Sequence, residues 1–152
     1  MWSMVRKLCY QVILAPHMVA IYNRFSKLKS LGKRGEREAE RFYLRQGLYL
    51  IERGYADAFG EIDLILVDNR TVVFAEVKTR TSGATESPAE AVDETKQRRI
   101  SQTALAYLKR NRLTETRFRF DIVSIVWPKE AASPEIRHYP SAFELAGDFQ
   151  LF

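Results

Sequence analysis

A mixed α/β domain is what the 152-residue sequence predicts, and three observations carry that expectation. Apolar residues recur at helical spacing in two segments, and they alternate at strand spacing in others. The segments follow the order helix, strands, helix, strand, which is the grammar of a sheet with helices packed on it.

Gly32 to Gln46 reads as a helix, with Ala39, Phe42 and Tyr43 on one stripe and Gly47 as the stop. Leu48–Arg53 is a short strand, and Gly54–Gly60, with its glycines and Asp57, is a turn. Glu61–Val67 and Thr71–Val77 are the strongest strands, joined in hairpin fashion by Asp68-Asn69-Arg70. Ser82–Thr85 is a loop around Gly83. Ser87-Pro88-Ala89-Glu90 has a capping serine, a first-turn proline and a capping-box acid, so a helix is expected from there to about Arg110, with a re-start at Asp93 as the alternative. Ile100, Ala104, Tyr107 and Leu108 fall on one of its faces. Phe118–Val126 alternates cleanly before Pro128, and Glu135–Tyr139 is a last strand.

The charge is unevenly distributed. Of the net +5, residues 1–34 supply seven basic side chains and no acid, which leaves 17 basic against 19 acidic residues beyond them. The basic excess therefore belongs to an N-terminal arm and not to a uniformly cationic domain. Lys96 to Arg119 is the second basic zone, with eight basic residues against Glu115. Two such zones suit a polyanionic partner. Leu8–Tyr22 is apolar behind Arg6 and Lys7, but Gln11, Pro16 and His17 interrupt it and no small-residue cleavage site follows. It is too short to span a bilayer. A helix packed on the domain or lying loose is favoured over membrane contact through this arm, and a cytoplasmic location is expected.

Residue chemistry narrows the function further. The single cysteine, Cys9, excludes an intramolecular disulfide framework and a cysteine-rich zinc site. The two histidines, His17 and His138, lie near opposite ends of the chain, which argues against a His-centred site. Any metal would be a hard cation held by oxygens. Acids embedded in apolar strands point the same way. Glu61 and Asp63 share one face of their strand, and Glu76 and Lys78 share one face of the next. Taken singly, each reads as an edge cap or a surface ion pair. With the two strands adjacent, Asp63, Glu76 and Lys78 converge at one sheet end. Asp63, Glu76 and the Val77 carbonyl then offer oxygens to Mg²⁺ or Mn²⁺. Lys78 is placed to orient or deprotonate an attacking water, or to stabilise charge on a phosphoryl group.

Several motifs stand in one order along the chain: Gly32-Lys33-Arg34-Gly35-Glu36-Arg37-Glu38-Ala39, Gly60-Glu61-Ile62-Asp63-Leu64-Ile65, Phe74-Ala75-Glu76-Val77-Lys78-Thr79-Arg80, Glu90-Ala91-Val92 with Lys96-Gln97-Arg98-Arg99, Arg119-Phe120-Asp121-Ile122-Val123, and His138-Tyr139-Pro140-Ser141-Ala142-Phe143. Over about residues 31–143 this set resembles the YraN-like family of small bacterial proteins; residues 1–30 fall outside the match and look like a basic N-terminal extension, with 31–152 as the nuclease-like domain. The resemblance implies a restriction-endonuclease-like mixed β-sheet core flanked by helices, similar to archaeal Holliday-junction resolvases. It implies that Asp63, Glu76 and Lys78 match a PD-(D/E)xK catalytic motif and that Glu36 matches a helix glutamate that helps bind metal. Glu36 also shares a helical face with Ala39 and Tyr43, an odd place for a solvated acid.

The expectation is thus an Mg²⁺- or Mn²⁺-dependent endonuclease acting on DNA, branched or structured DNA included. Lys96, Gln97 and Arg99 are candidates to reach the site or the phosphates of a nucleic acid, with a solvated helix face as the plain alternative. The alternative is a non-catalytic nucleic-acid-binding or accessory protein that retains the fold. Resolvases of this type work as homodimers, so a homodimer is the oligomer to test. Asp121, an acid within an apolar strand, is expected to be structural.

Overall fold

The computed structural model describes residues 31–81, 92–128 and 133–147. Its elements are α1 (Leu31–Arg45), β1 (Tyr49–Ala56), β2 (Glu61–Asp68), β3 (Thr71–Thr81), α2 (Glu94–Arg110), β4 (Arg117–Trp127) and β5 (Glu135–Phe143). The strands form a five-stranded sheet in the order β1-β2-β3-β4-β5. Only β3 and β4 run parallel, and α2 is the crossover that a parallel pair requires. The expected α/β class and mixed sheet are therefore present. The readings of the arm at 1–30, the loop at 82–85 and the helix start at 87–90 lie outside the described residues.

Residue alternation along β3 divides the core into two layers. Val72 and Phe74 face α2, where Ile100, Ala104, Tyr107 and Leu108 close over Ile65, Phe120 and Ile122. Val73 and Ala75 face α1, where Ala39 and Tyr43 close over Leu64, Leu66, Val123 and Ile125. The two helices thus cover opposite faces of one sheet, as apolar side chains alternating across a strand demand.

Local chemistry explains the boundaries. Gly47 adopts φ +87 after α1. The Gly47 N–H donates to Leu44 O and the Leu48 N–H to Tyr43 O, both at 3.1 Å, which makes a Schellman stop. Asp93 caps α2 by accepting the Lys96 N–H at 2.7 Å, so of the two helix starts anticipated the one at Asp93 is seen. Asn69, with φ +54, turns the β2–β3 hairpin.

Three strands run further than their sequence suggests. β1 continues through Gly54 to Ala56, because Tyr55 is buried with its ring 5.0 Å from that of Tyr107. The turn shrinks to Asp57–Gly60, where the Asp57 carboxylate accepts the Phe59 and Gly60 N–H groups and the Thr103 hydroxyl. β3 extends to Thr81 because its whole length pairs with β4, Thr71 opposite Arg117 through Thr81 opposite Trp127. β5 passes Pro140, which an edge strand tolerates, and ends with Phe143 stacked on Phe120 at 4.7 Å.

Asp121 is the polar anchor of the α1 layer. It is fully buried and accepts hydrogen bonds from Arg119 Nε at 3.0 Å, the Ser141 N–H at 3.0 Å and the Tyr43 hydroxyl at 3.3 Å, with His138 Nε2 at 2.8 Å. Arg119 reaches on to Asp68 at 2.8 Å. Burial alone would raise the Asp121 pKa, but His138, Arg119 and Ser141 outweigh it and hold the carboxyl below its ordinary range. The cluster ties α1, β4, β5 and the β2–β3 hairpin together, so the structural role expected of Asp121 is what its contacts describe. Asp121→Ala would leave several buried donors unmatched, and urea unfolding should show a loss of about 3 kcal/mol or more. The exposed Glu115→Ala should stay within about 0.5 kcal/mol of wild type in the same assay.

Candidate functional site

The β2–β3 ladder pairs Asp68 with Thr71 and runs as far as Leu64 with Ala75. One more step in that register would set Asp63 opposite Glu76. At that step the side chain takes over from the backbone: Asp63 Oδ2 accepts the Val77 N–H at 2.7 Å. β2 remains paired with β1 there, Tyr55 with Ile62 and Ala56 with Glu61, while β3 remains paired with β4. The sheet therefore forks between β2 and β3, and the two acids stand at the fork.

Glu76 is only 4% exposed and lies on the α2 side of β3, in phase with Phe74. Its Oε1 is met by Lys78 Nζ at 2.9 Å and by Lys96 Nζ at 2.5 Å. Lys78 arrives two residues along the same strand, as period-2 alternation requires. Lys96 arrives from the first turn of α2. Asp63, Glu76 and Lys78 are thus brought together as their sequence positions suggest. Lys96 joins them as an ion-pair partner of Glu76, a specific pairing that sequence spacing does not fix.

Glu36 approaches from α1 through close packing. Gly35 lies so near β3 that a Cβ there would sit 1.7 Å from Thr79 Oγ1, 2.8 Å from Thr79 Cβ and 3.0 Å from Thr79 Cγ2. The Arg34 guanidinium, 4.8 Å from the Trp127 ring centroid, adds a cation–π contact to the same helix start. Burial raises the Glu36 pKa, and the charges of Glu61 and Glu76 add to the rise against Lys33 and Arg37. Among the described residues no group of three or more His, Cys, Asp or Glu side chains is gathered for a metal ion, so Glu36 bears on the site electrostatically, outside any such cluster.

The remaining candidates separate. The Gln97 amide donates to Val92 O at 2.9 Å, a cap on the start of its own helix. Arg99 is exposed, with its Cβ beside Gly60 in the β1–β2 turn. Asp63 carries the clearest electrostatic signature. Burial and the neighbouring Glu76 charge push its pKa up to about 7, Glu36 adds to this, and the Val77 N–H and Lys96 oppose it. Two carboxylates crowded into one poorly hydrated fork repel each other, a condition that a hard divalent cation relieves.

A family model described as Uncharacterised protein family UPF0102 matches residues 35–125. The chain belongs to this family, the YraN-like family of small bacterial proteins. A UPF0102 protein of Rhodopirellula baltica is 44% identical over 120 residues, covering 77% of this chain and 72% of its own length. A UPF0102 protein of Geobacter metallireducens is 44% identical over 118 residues, covering 78% and 95%. One of Geotalea uraniireducens is 42% identical over 118 residues, covering 78% and 92%. The UPF0102 match begins at Gly35 and takes in Glu36, Asp63, Glu76, Lys78, Lys96 and Asp121. No helix among the described residues is long and apolar enough to cross a membrane.

Two outcomes follow from this geometry. Gly35→Ala gains helix propensity but must move Thr79, whose Cβ and methyl block relief by rotation. A net loss of about 1–3 kcal/mol is expected in thermal or urea unfolding, where a gain would refute the close approach. Asp63→Asn keeps an acceptor for Val77 while removing the charge. The wild-type Asp63 pKa is raised from 3.8 to about 7 on folding, so the folded state holds the extra proton and wild-type stability falls as pH rises through that window. The stability advantage of Asp63→Asn should therefore be small at pH 4, grow up to about pH 7 and stay level above it. A pH-independent difference would contradict the assignment.

Proposed function

We propose that this UPF0102 protein is a divalent-cation-dependent nuclease that hydrolyses phosphodiester bonds of DNA, branched or structured DNA included. The observation that carries the reading is the Asp63–Glu76 pair at the fork of β2 and β3, with Lys78 held on Glu76 Oε1. Mg²⁺ or Mn²⁺ suits this donor set, because such ions are commonly held by one or two carboxylates and keep several waters. Asp63, Glu76 and the Val77 carbonyl would hold it, with the Glu36 charge favouring it from α1. When bound, the cation supplies Lewis-acid stabilisation of the charge that develops on the phosphoryl group.

The protein groups supply the rest. Ionised Asp63 and Glu76 fix the negative side of the site, and Glu76 in turn holds the Lys78 ammonium at a defined place on the same strand face. Lys78 orients the attacking water and stabilises negative charge on the non-bridging phosphate oxygens. Hydrolysis by this route needs no nucleophilic side chain. Lys96, Arg98 and Arg99 on the first turns of α2 provide positive charge for the flanking phosphates, beside the helix N-terminus.

A second reading is favoured by one observation. Both lysines already neutralise Glu76, and three carboxylates are not gathered among the described residues. A binding or accessory protein that keeps the nuclease fold would accept that arrangement unchanged. One assay separates the two. With Mg²⁺ or Mn²⁺, the wild-type chain should cleave a fluorescent branched DNA, and Asp63→Ala, Glu76→Ala and Lys78→Ala should each lower the rate by about 10²-fold or more. Cleavage that persists in all three variants would overturn the site. Salt-sensitive binding without cleavage, across several substrates and metals, would favour the accessory reading.

A further inference from the structure

Two ammonium groups share one carboxylate oxygen at Glu76, and they are not equivalent. The Lys78 side chain is 22% exposed and issues from the strand that carries Glu76. The Lys96 side chain is 43% exposed and issues from the first turn of α2. Lys96 is therefore the partner at the mouth of the fork, with solvent behind it. Its charge also acts on Asp63, in opposition to Glu76. It stands as counter-charge to both carboxylates, which is the electrostatic role a divalent cation would fill between them.

The Lys96 side chain does not cap α2, and Glu76 has a second ammonium partner beside it. The helix start is held by the backbone N–H of Lys96 on Asp93 Oδ1 at 2.7 Å, which any residue other than proline supplies. Glu76 also has Lys78 at 2.9 Å, an ammonium partner independent of α2. The four-carbon stem of a lysine lets its ammonium move several ångströms by rotamer change alone, with no backbone motion. An ion pair of this kind is replaceable in place, unlike the enclosed Asp121 cluster.

We propose that Lys96 is a resident counter-ion for the Asp63–Glu76 pair, displaced by the divalent cation and released towards a substrate phosphate. The inference rests on the metal-dependent reading of the site. It makes Lys96 a positioning residue with two opposed effects. In the free protein it competes with the cation for Glu76 Oε1, and in the loaded protein it adds a phosphate contact. The exchange also guards the fork, since two buried carboxylates are kept compensated until the cation arrives.

The test uses the full chain, Mn²⁺ alone and a branched DNA in Ca²⁺, with wild type compared with Lys96→Met and Lys96→Gln. Removing one competing positive charge from the fork should tighten Mn²⁺ binding by about tenfold, read by calorimetry or by the free-Mn²⁺ electron paramagnetic resonance signal. The same variants should bind the DNA several-fold more weakly. A purely structural lysine would not move the two affinities in opposite directions. Two variants of different polarity keep the result readable if one folds poorly.

Mn²⁺ affinity unchanged or weakened in both variants would overturn the exchange, while wild-type Mn²⁺ binding that Asp63→Asn abolishes would leave the metal site standing. Tighter Mn²⁺ binding with undiminished DNA binding would remove the phosphate contact and refute that half. If wild type and variants alike bind no Mn²⁺, the inference falls together with the reading it rests on.

Discussion

Asp63 places a carboxylate oxygen where the β2–β3 ladder would have placed a backbone carbonyl, and much of the site follows from that substitution. The Val77 N–H is satisfied at 2.7 Å, so the strands can part without an orphaned donor. Antiparallel register then puts Glu76 across from Asp63, and strand alternation puts Lys78 on the face of Glu76. Both neighbouring ladders continue past the fork, which keeps β2 and β3 rigid where they separate. The arrangement is electrostatically costly, as the rise of Asp63 to about 7 shows. Its compensation comes from the Val77 N–H and Lys78 on β3 and from Lys96 on α2.

Two acids one residue apart in the sheet show how differently a buried carboxylate can be used. Ala75 pairs with Asp121, and Glu76 pairs with Ile122, so Asp121 and Glu76 lie side by side on opposite faces. Asp121 is enclosed by Arg119, His138, Tyr43 and the Ser141 N–H, and its pKa is lowered. Glu76 is balanced by two lysines on flexible stems, one of them at the surface. Directional donors fixed from several elements make the first a structural anchor. Ammonium groups on long stems leave the second open to the exchange proposed for Lys96. The histidine of the chain's far end, His138, belongs to the anchor.

Much of this was legible in the sequence, and what was hidden has a common cause. Acids at alternate positions in apolar strands marked Asp63, Glu76 and Lys78, because strand periodicity and a short hairpin are local signals. The stop at Gly47 and the apolar face of α2 were legible for the same reason. Strand lengths were not, since β3 and β5 are prolonged by pairing partners remote in sequence. Gly35 gave no sign of its role, because its missing side chain matters only against Thr79. Lys96 read as reaching the site or the phosphates, or as part of a solvated helix face, and its partnership with Glu76 depends on how α2 docks across the sheet. The UPF0102 relatives share the region that holds all these residues, but their names assign no chemistry to it. The functional reading therefore rests on the fork itself.

The central claim is that the fork holds a divalent cation between Asp63 and Glu76. The most direct measurement is the anomalous difference density of crystals grown with Mn²⁺, collected near the manganese edge. The expected result is one strong peak within bonding distance of Asp63, Glu76 and the Val77 carbonyl, absent from Asp63→Asn crystals grown in the same solution. Well-ordered crystals with no peak at the fork, or with manganese bound only elsewhere on the surface, would contradict the account.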